Sequence, residues 1–142
     1  MRTIHLKRAS LLLTLLGGTI FLMSSTEIKI QAKGPWVAPS SADTIKNPLK
    51  GKAAAIEAGK KIYDTYCTVC HGMKGKGDGI AAAGLNPKPA NHTTEKFQKQ
   101  TDGAIYWKLT NGRPPMASYA KTLTVTQRWQ VIDYIRTLKA KK

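Results

Sequence analysis

The sequence predicts an all-α domain of three main helices joined by long loops, and three observations carry that prediction. Segments 53–66 and 125–139 place apolar residues at spacings of three and four, while segment 101–112 is bracketed by helix start and stop signals. No stretch alternates apolar and polar residues as a half-buried strand would, and no internal repeat stands out. Between the helices lie long stretches interspersed with Gly and Pro, which interrupt regular structure.

The first helix is expected over about Ala53–Tyr66, where Ile56, Gly59, Tyr63 and Tyr66 share one face. Gly59 costs that helix about 1 kcal/mol against alanine, which calls for a packing reason such as close approach of another helix. From Gly72 to Asn91 the chain reads as loop, with Gly72, Gly75, Gly77, Gly79, Gly84, Pro87 and Pro89. A loop of that length is usually functional or wraps something. The segment TDGAIYWKLTNG is a short helix capped by Thr101 or Asp102 and stopped at Asn111–Gly112. Arg113 to Leu123 is loop again, stiffened by Pro114–Pro115. The last helix is expected over about Val125–Lys139. Thr124 and Gln127 form a capping box, and Val131, Tyr134, Ile135 and Leu138 form the buried stripe that Trp129 and Ile132 widen.

Upstream, Arg2, Lys7 and Arg8 precede the uncharged run Ala9–Met23. Its 15 residues are short for a membrane helix and match the h-region of an export signal; the alternative is an uncleaved membrane anchor. Residues 1–32 are assigned to that signal or anchor, 33–50 to an extended, proline-bearing leader or tether whose Trp36 packs back, and 51–142 to the domain. The chain carries 23 Lys+Arg against 8 Asp+Glu, a net charge of +15. Without residues 1–32 the balance is 19 against 7, or +12. Such a field favours anionic partners, and the scatter of basic residues suits a diffuse positive face rather than a nucleic-acid tail.

Three helices with few aromatics make a thin core for 142 residues, so a staple or cofactor is expected. The stretch YCTVCHGMKGKGDG, Tyr66–Gly79, holds both cysteines of the chain. A disulfide is compatible with an exported chain. A thioredoxin-like pair wants a preceding strand, which is absent from the pattern, and a zinc site wants four ligands, for which only His92 could supplement Cys67, Cys70 and His71. The reading with a role for every residue is C-x-x-C-H, the attachment site of c-type haem. Cys67 and Cys70 reach one porphyrin edge as thioethers, and His71 lies beneath the ring with its imidazole aimed at the iron. Met73 follows His71 too closely to reach the opposite ring face. Met116, in the proline-stiffened loop, can reach it. His/Met ligation raises the iron potential and leaves no open coordination site, which implies electron transfer rather than oxygen chemistry.

These residues together resemble class I cytochromes c over about Ala53–Lys139. The resemblance rests on the helix with Gly59 and Tyr63, on CTVCHG, on GKGDG, on the PPM loop and on a final helix with Trp129, Tyr134 and Leu138. It implies an all-α class I cytochrome c fold, its long loops wrapped around one covalent haem c with its iron. It further implies that the first and last helices cross, with Gly59 against Tyr134 or its neighbours. A proline carbonyl should accept a hydrogen bond from the second nitrogen of His71; Pro87 is the expected residue and Pro89 the alternative. The cofactor-binding set is thus Cys67, Cys70, His71, Met116 and Pro87, with His71 and Met116 on the iron and no catalytic residue. More narrowly, Asn47–Pro48, the GDG loop, TDGAIYWKLTNGR and QRWQVIDYIR are similar to single-haem cytochrome c subunits or domains of bacterial respiratory complexes, a quinol-oxidising complex among them.

The implied function is a periplasmic single-electron carrier of a bacterial respiratory chain. The alternatives are a fixed cytochrome subunit of a membrane quinol-oxidising or oxidase complex, a haem sensor or enzyme with an open sixth site, and a metal or thiol module without haem. The implied partners are acidic redox proteins or a membrane respiratory complex, not nucleic acid, with membrane contact only through an uncleaved N-terminal segment. Tyr106, Trp107 and Tyr119 are either haem contacts or core. Arg113 is a candidate for pairing with a propionate. His92 reads as an exposed loop residue and a reserve sixth ligand. Lys74, Lys76 and Lys88 are candidates for steering an acidic partner.

Overall fold

The computed structural model describes residues 34–141, and among these all regular structure is helical apart from one isolated antiparallel bridge, Arg113–Met116. Residues 1–32, expected to be an export signal or membrane anchor, lie outside the described residues. Helix α1 spans Ala53–Tyr66, with Ala55, Gly59 and Tyr63 as its buried stripe. Helix α2, Thr68–His71, follows almost without a break, so the CxxCH segment is itself one helical turn. Helix α3, Glu95–Gln98, is a single turn whose N-cap Thr94 accepts from the Phe97 amide; the sequence pattern gave no warning of it. Helix α4 spans Asp102–Asn111. Its cap is Thr101, whose hydroxyl accepts from the Ala104 amide at 3.0 Å. Helix α5 spans Val125–Thr137 and begins at the expected Thr124–Gln127 capping box. It stops two residues short of Lys139, where the chain turns so that the Ala140 amide donates to the Thr93 carbonyl.

The α1–α5 crossing is the centre of the core. Tyr63, Val131 and Ile132 are its largest fully buried side chains, and Ile105 and Leu109 of α4 complete it with Trp129 and Ile135. Gly59 lies at the crossing. A Cβ there would overlap the Gln130 carbonyl and stand 3.1 Å from the Tyr134 Cβ, so only glycine lets the two backbones approach. The expectation drawn from its cost inside a helix is met.

The leader is not a bare tether within the described residues. Ser40–Thr44 forms a 3₁₀ turn with Ala42 buried, and Gly103 of α4 gives the space for the Ala42 and Ile45 carbonyls. Asn47 then donates from its amide to Asp133 at 3.0 Å and to Asp102 at 3.4 Å. Arg136 of α5 closes the cluster with a 2.6 Å ion pair to Asp102. The long glycine loop is likewise held, by a 3₁₀ turn at Ala82–Gly84 and by bonds from the Gly77, Gly79 and Ala81 amides back to the His71, Cys70 and Val69 carbonyls. No helix among the described residues is long and apolar enough to cross a membrane.

Candidate functional site

A cavity of about 410 Å³ opens between the α1–α2 turn, the glycine loop, α4 and the loop after α4. Its first wall is built by Cys67, Cys70 and His71. Cys67 caps α1 and Cys70 sits one turn on, so both sulfurs lie along one side of a continuous helical turn. Both thiols are free, so the disulfide reading is not realised. Burial, with a smaller contribution from Cys70, pushes the Cys67 thiol up to about 12, so it is held as S–H and is not a poised thiolate. Among the described residues no cluster of three or more His, Cys, Asp or Glu side chains is arranged to hold a bare metal ion.

His71 carries the geometry of an oriented ligand. Its Nδ1 is 2.9 Å from the Ala90 carbonyl, to which it donates, and this leaves the Nε2 lone pair free. Burial lowers its proton affinity, an effect the Ala90 bond opposes, so the ring is a neutral imidazole at physiological pH. The hydrogen-bond role expected for Pro87, or for Pro89, therefore falls to Ala90. The Pro89 carbonyl lies against Gly77, where a Cβ would stand only 2.5 Å from it, and it is the Ala90 carbonyl that faces His71. Pro87 remains on the cavity wall.

His92 also departs from expectation. It is buried, at 5% exposure, and its ring stacks on His71 with centroids 4.1 Å apart and planes at 23°. Its Nδ1 is 3.4 Å from the Tyr63 hydroxyl, and Phe97 packs against it with ring centroids 4.5 Å apart. Burial holds it neutral. A ring stacked flank to flank on His71 cannot oppose it across a porphyrin, so His92 is removed as a reserve sixth ligand.

Met116 lines the same cavity from the loop after α4, with Pro115 and Tyr119. That loop folds back on itself through paired Arg113–Met116 backbone bonds of 3.0 and 2.9 Å. Gly112, at φ +66°, makes the preceding turn; a Cβ there would meet the Ser118 amide at 2.5 Å. At another rim of the cavity Trp36 of the leader sits beneath two cations, Arg113 at 5.3 Å and Lys108 at 5.7 Å from its ring centre. Trp36 thus packs back as expected. Burial and the neighbouring Arg113 charge both lower the Lys108 proton affinity, so this rim is short of negative charge. Tyr106 is core, stacked on Trp129 at 4.1 Å, and neither it nor Trp107 lines the cavity. Lys88 is exposed like Lys74 and Lys76, but its amine is tied back, donating to the Ala82 and Ala83 carbonyls at 3.0 and 2.7 Å.

This donor set fits covalent haem. Two free thiols one helical turn apart, an imidazole with one nitrogen already anchored, a thioether on the same cavity and a cationic rim are the groups it requires. The family model for cytochrome c matches residues 56–139. A quinohemoprotein alcohol dehydrogenase of Pseudomonas putida, ADH-IIG, is 36% identical over 96 residues, 66% of this chain but 12% of its own length. Cytochrome c-554(547) of Halothiobacillus neapolitanus is 36% identical over 92 residues, 61% of this chain and all of its own. Among solved structures, a chain of a reducing HAO-like protein complex of Kuenenia stuttgartiensis superposes with a TM-score of 0.59 at 35% identity, over 66% of this chain and 47% of that one. This chain therefore spans about an eighth of the dehydrogenase and about half of the complex subunit it resembles. From the match over most of its described length, the chain belongs to the cytochrome c family, whose bound cofactor is covalent haem c with its iron.

Proposed function

We propose that this protein is a monohaem, His/Met-ligated carrier of single electrons, exported and working in a bacterial respiratory chain. The observation that carries the reading is that one cavity gathers Cys67, Cys70, His71 and Met116, with the His71 Nδ1 already committed to Ala90. Cys67 and Cys70 would each add S–H across a vinyl group, forming a C–S and a C–H bond, and no other reactant is consumed. His71 and Met116 would be the protein ligands that hold the iron. Lys108 and Arg113 would meet the carboxylates, and the apolar walls exclude water. The bound group supplies a ferric/ferrous couple; the chain fixes its ligands and its exposure.

Both thioethers are tested by intact mass and by haem staining after denaturing electrophoresis, since only covalent haem survives. Ligation is tested with Met116→Ala. The variant should keep its covalent haem, lose the sulfur-to-iron charge-transfer band, show a lower potential and bind carbon monoxide when reduced. A wild-type protein that binds carbon monoxide readily would instead support an open-site sensor or enzyme. Relatives that are domains of a dehydrogenase and of a multi-subunit complex favour a second reading, a fixed subunit of a larger assembly. Co-purification with membrane subunits separates it from a free carrier.

A further inference from the structure

Arg128 on α5 is 6% exposed and forms no ion pair among the described residues. A buried guanidinium without a counter-charge is costly and needs compensation by hydrogen bonds. That compensation comes almost wholly from the loop that bears Met116. Nη1 donates to the carbonyls of Leu123 at 2.6 Å, Ala120 at 3.2 Å and Tyr119 at 3.4 Å, while Nη2 donates to the Tyr106 hydroxyl at 2.8 Å. The planar group also lies 5.1 Å from the Tyr106 ring centre. Only Nε is left without a partner.

Tyr119, three residues after Met116, joins these ties to the rest of the site. Its amide donates to the Leu109 carbonyl of α4 at 3.0 Å, and its hydroxyl donates to the carbonyl of Tyr66, the residue before Cys67, at 3.1 Å. Upstream, the loop is fixed to α4 through the Ser118 hydroxyl and the Thr110 carbonyl at 2.6 Å. Downstream of Tyr119, the side chain reaching in from a helix to gather the Ala120 and Leu123 carbonyls is that of Arg128. A lysine, with a single compact ammonium, could not span three carbonyls and a phenol at once; the fork of an arginine can.

We propose that Arg128 is a positioning residue for Met116: it clamps the downstream half of the loop against α5 and, through Tyr119, holds the methionine sulfur on the iron. The inference rests on Met116 being the sixth ligand. Without the clamp the fold persists on the α1–α5 core, but the loop opens and the sulfur leaves the iron for a larger part of the time. Loss of charge-assisted bonds of this kind should raise the sulfur-off population roughly ten-fold or more.

The test compares the haem-loaded full chain as wild type, Met116→Ala, Arg128→Gln, Arg128→Lys and Arg136→Gln. Each is read by covalent haem content, far-ultraviolet circular dichroism, the charge-transfer band of the oxidised form and carbon monoxide binding by the reduced form. Arg128→Gln should keep its haem and helicity, show a weakened band and bind carbon monoxide roughly ten-fold faster than wild type or more. Arg128→Lys should fall between it and wild type, and supplies the same readout if the glutamine variant does not accumulate. Arg136→Gln removes the ion pair with Asp102 about two turns along α5. It should lower the melting temperature yet keep the band. A haem-loaded Arg128→Gln, or failing it Arg128→Lys, with the full band and no carbon monoxide binding overturns the inference alone. Loss of the band in Arg136→Gln in step with its stability also overturns it, since general loosening would then suffice. Absence of the band from the wild type overturns the ligand reading, and this inference with it.

Discussion

Gly59 shows what one missing methyl group decides. In a free helix alanine would be favoured over glycine by about 1 kcal/mol. At this crossing the added Cβ overlaps the Gln130 carbonyl, a backbone atom that cannot swing aside. Overpacking of this kind costs about 1–3 kcal/mol, which exceeds the gain in propensity. Gly59→Ala should therefore lower the melting temperature by several degrees in circular-dichroism melts of the haem-loaded protein; an unchanged or raised value would show that the helices can part at no cost. The residue was legible because an unfavourable glycine in a helix demands a reason. The attachment motif was legible for a similar reason: Cys67, Cys70 and His71 carry their chemistry in side chains at fixed spacing. The partner of His71 was not. Every residue offers a carbonyl, and the choice of Ala90 over Pro87 or Pro89 depends on how the loop passes Gly77. His92 looks exposed in the sequence because a histidine between Asn91 and Thr93 has polar neighbours there, while its neighbours in space are Tyr63, His71 and Phe97.

At the scale of elements, the helices that the sequence marks with caps and stripes appear where expected, and the surprises lie in segments stabilised from outside. α3 is too short to carry periodicity. The leader has little apolar pattern, yet it is held by a polar cluster in which Asn47 bridges Asp102 of α4 and Asp133 of α5. Asp133 is the unusual member. Burial raises its proton affinity above the ordinary carboxylate value, opposed by donors from Gly51 and Asn47, and one of its oxygens has no partner. The native state thus takes up this proton at higher pH than the unfolded chain does. The ionised group weighs against folding at neutral pH, and that penalty fades as pH falls through the raised value towards the ordinary one. Asp133→Asn, which keeps an acceptor for Asn47 and discards the charge, should melt at or above wild type at neutral pH. The gap should close on acidification through the carboxylate range. Melting curves across that range check it; a variant less stable at neutral pH by an amount that does not change with pH would mean that the ionised carboxylate is a net support of the leader.

For the molecule as a whole, charge is the property read most directly from sequence, because a net +12 beyond residue 32 does not depend on the fold. What the fold adds is placement. Lys74 and Lys76 are exposed in the loop just after the CxxCH turn, next to Met73 at 76% and Ile80 at 91% exposure, while Lys88 spends its amine on the Ala82 and Ala83 carbonyls. The first two can act on an approaching partner, whereas the amine of the third is held by the two carbonyls. A positive field of this size should raise encounter rates with anions and lower them with cations, and salt should weaken both effects as the screening length contracts to about 10 Å at 0.1 M. Stopped-flow oxidation of the reduced protein by ferricyanide should therefore slow as salt is added, while reduction of the oxidised protein by hexaammineruthenium(II) should quicken. The double reversal Lys74→Glu, Lys76→Glu should slow the ferricyanide reaction at low salt and flatten its salt dependence, with the spectrum unchanged. Rates that respond to salt with the same sign for both reagents would mean that the charge near the CxxCH turn does not govern the approach. A double variant with the wild-type salt slope would instead assign the steering to the remaining basic residues, spread over the surface.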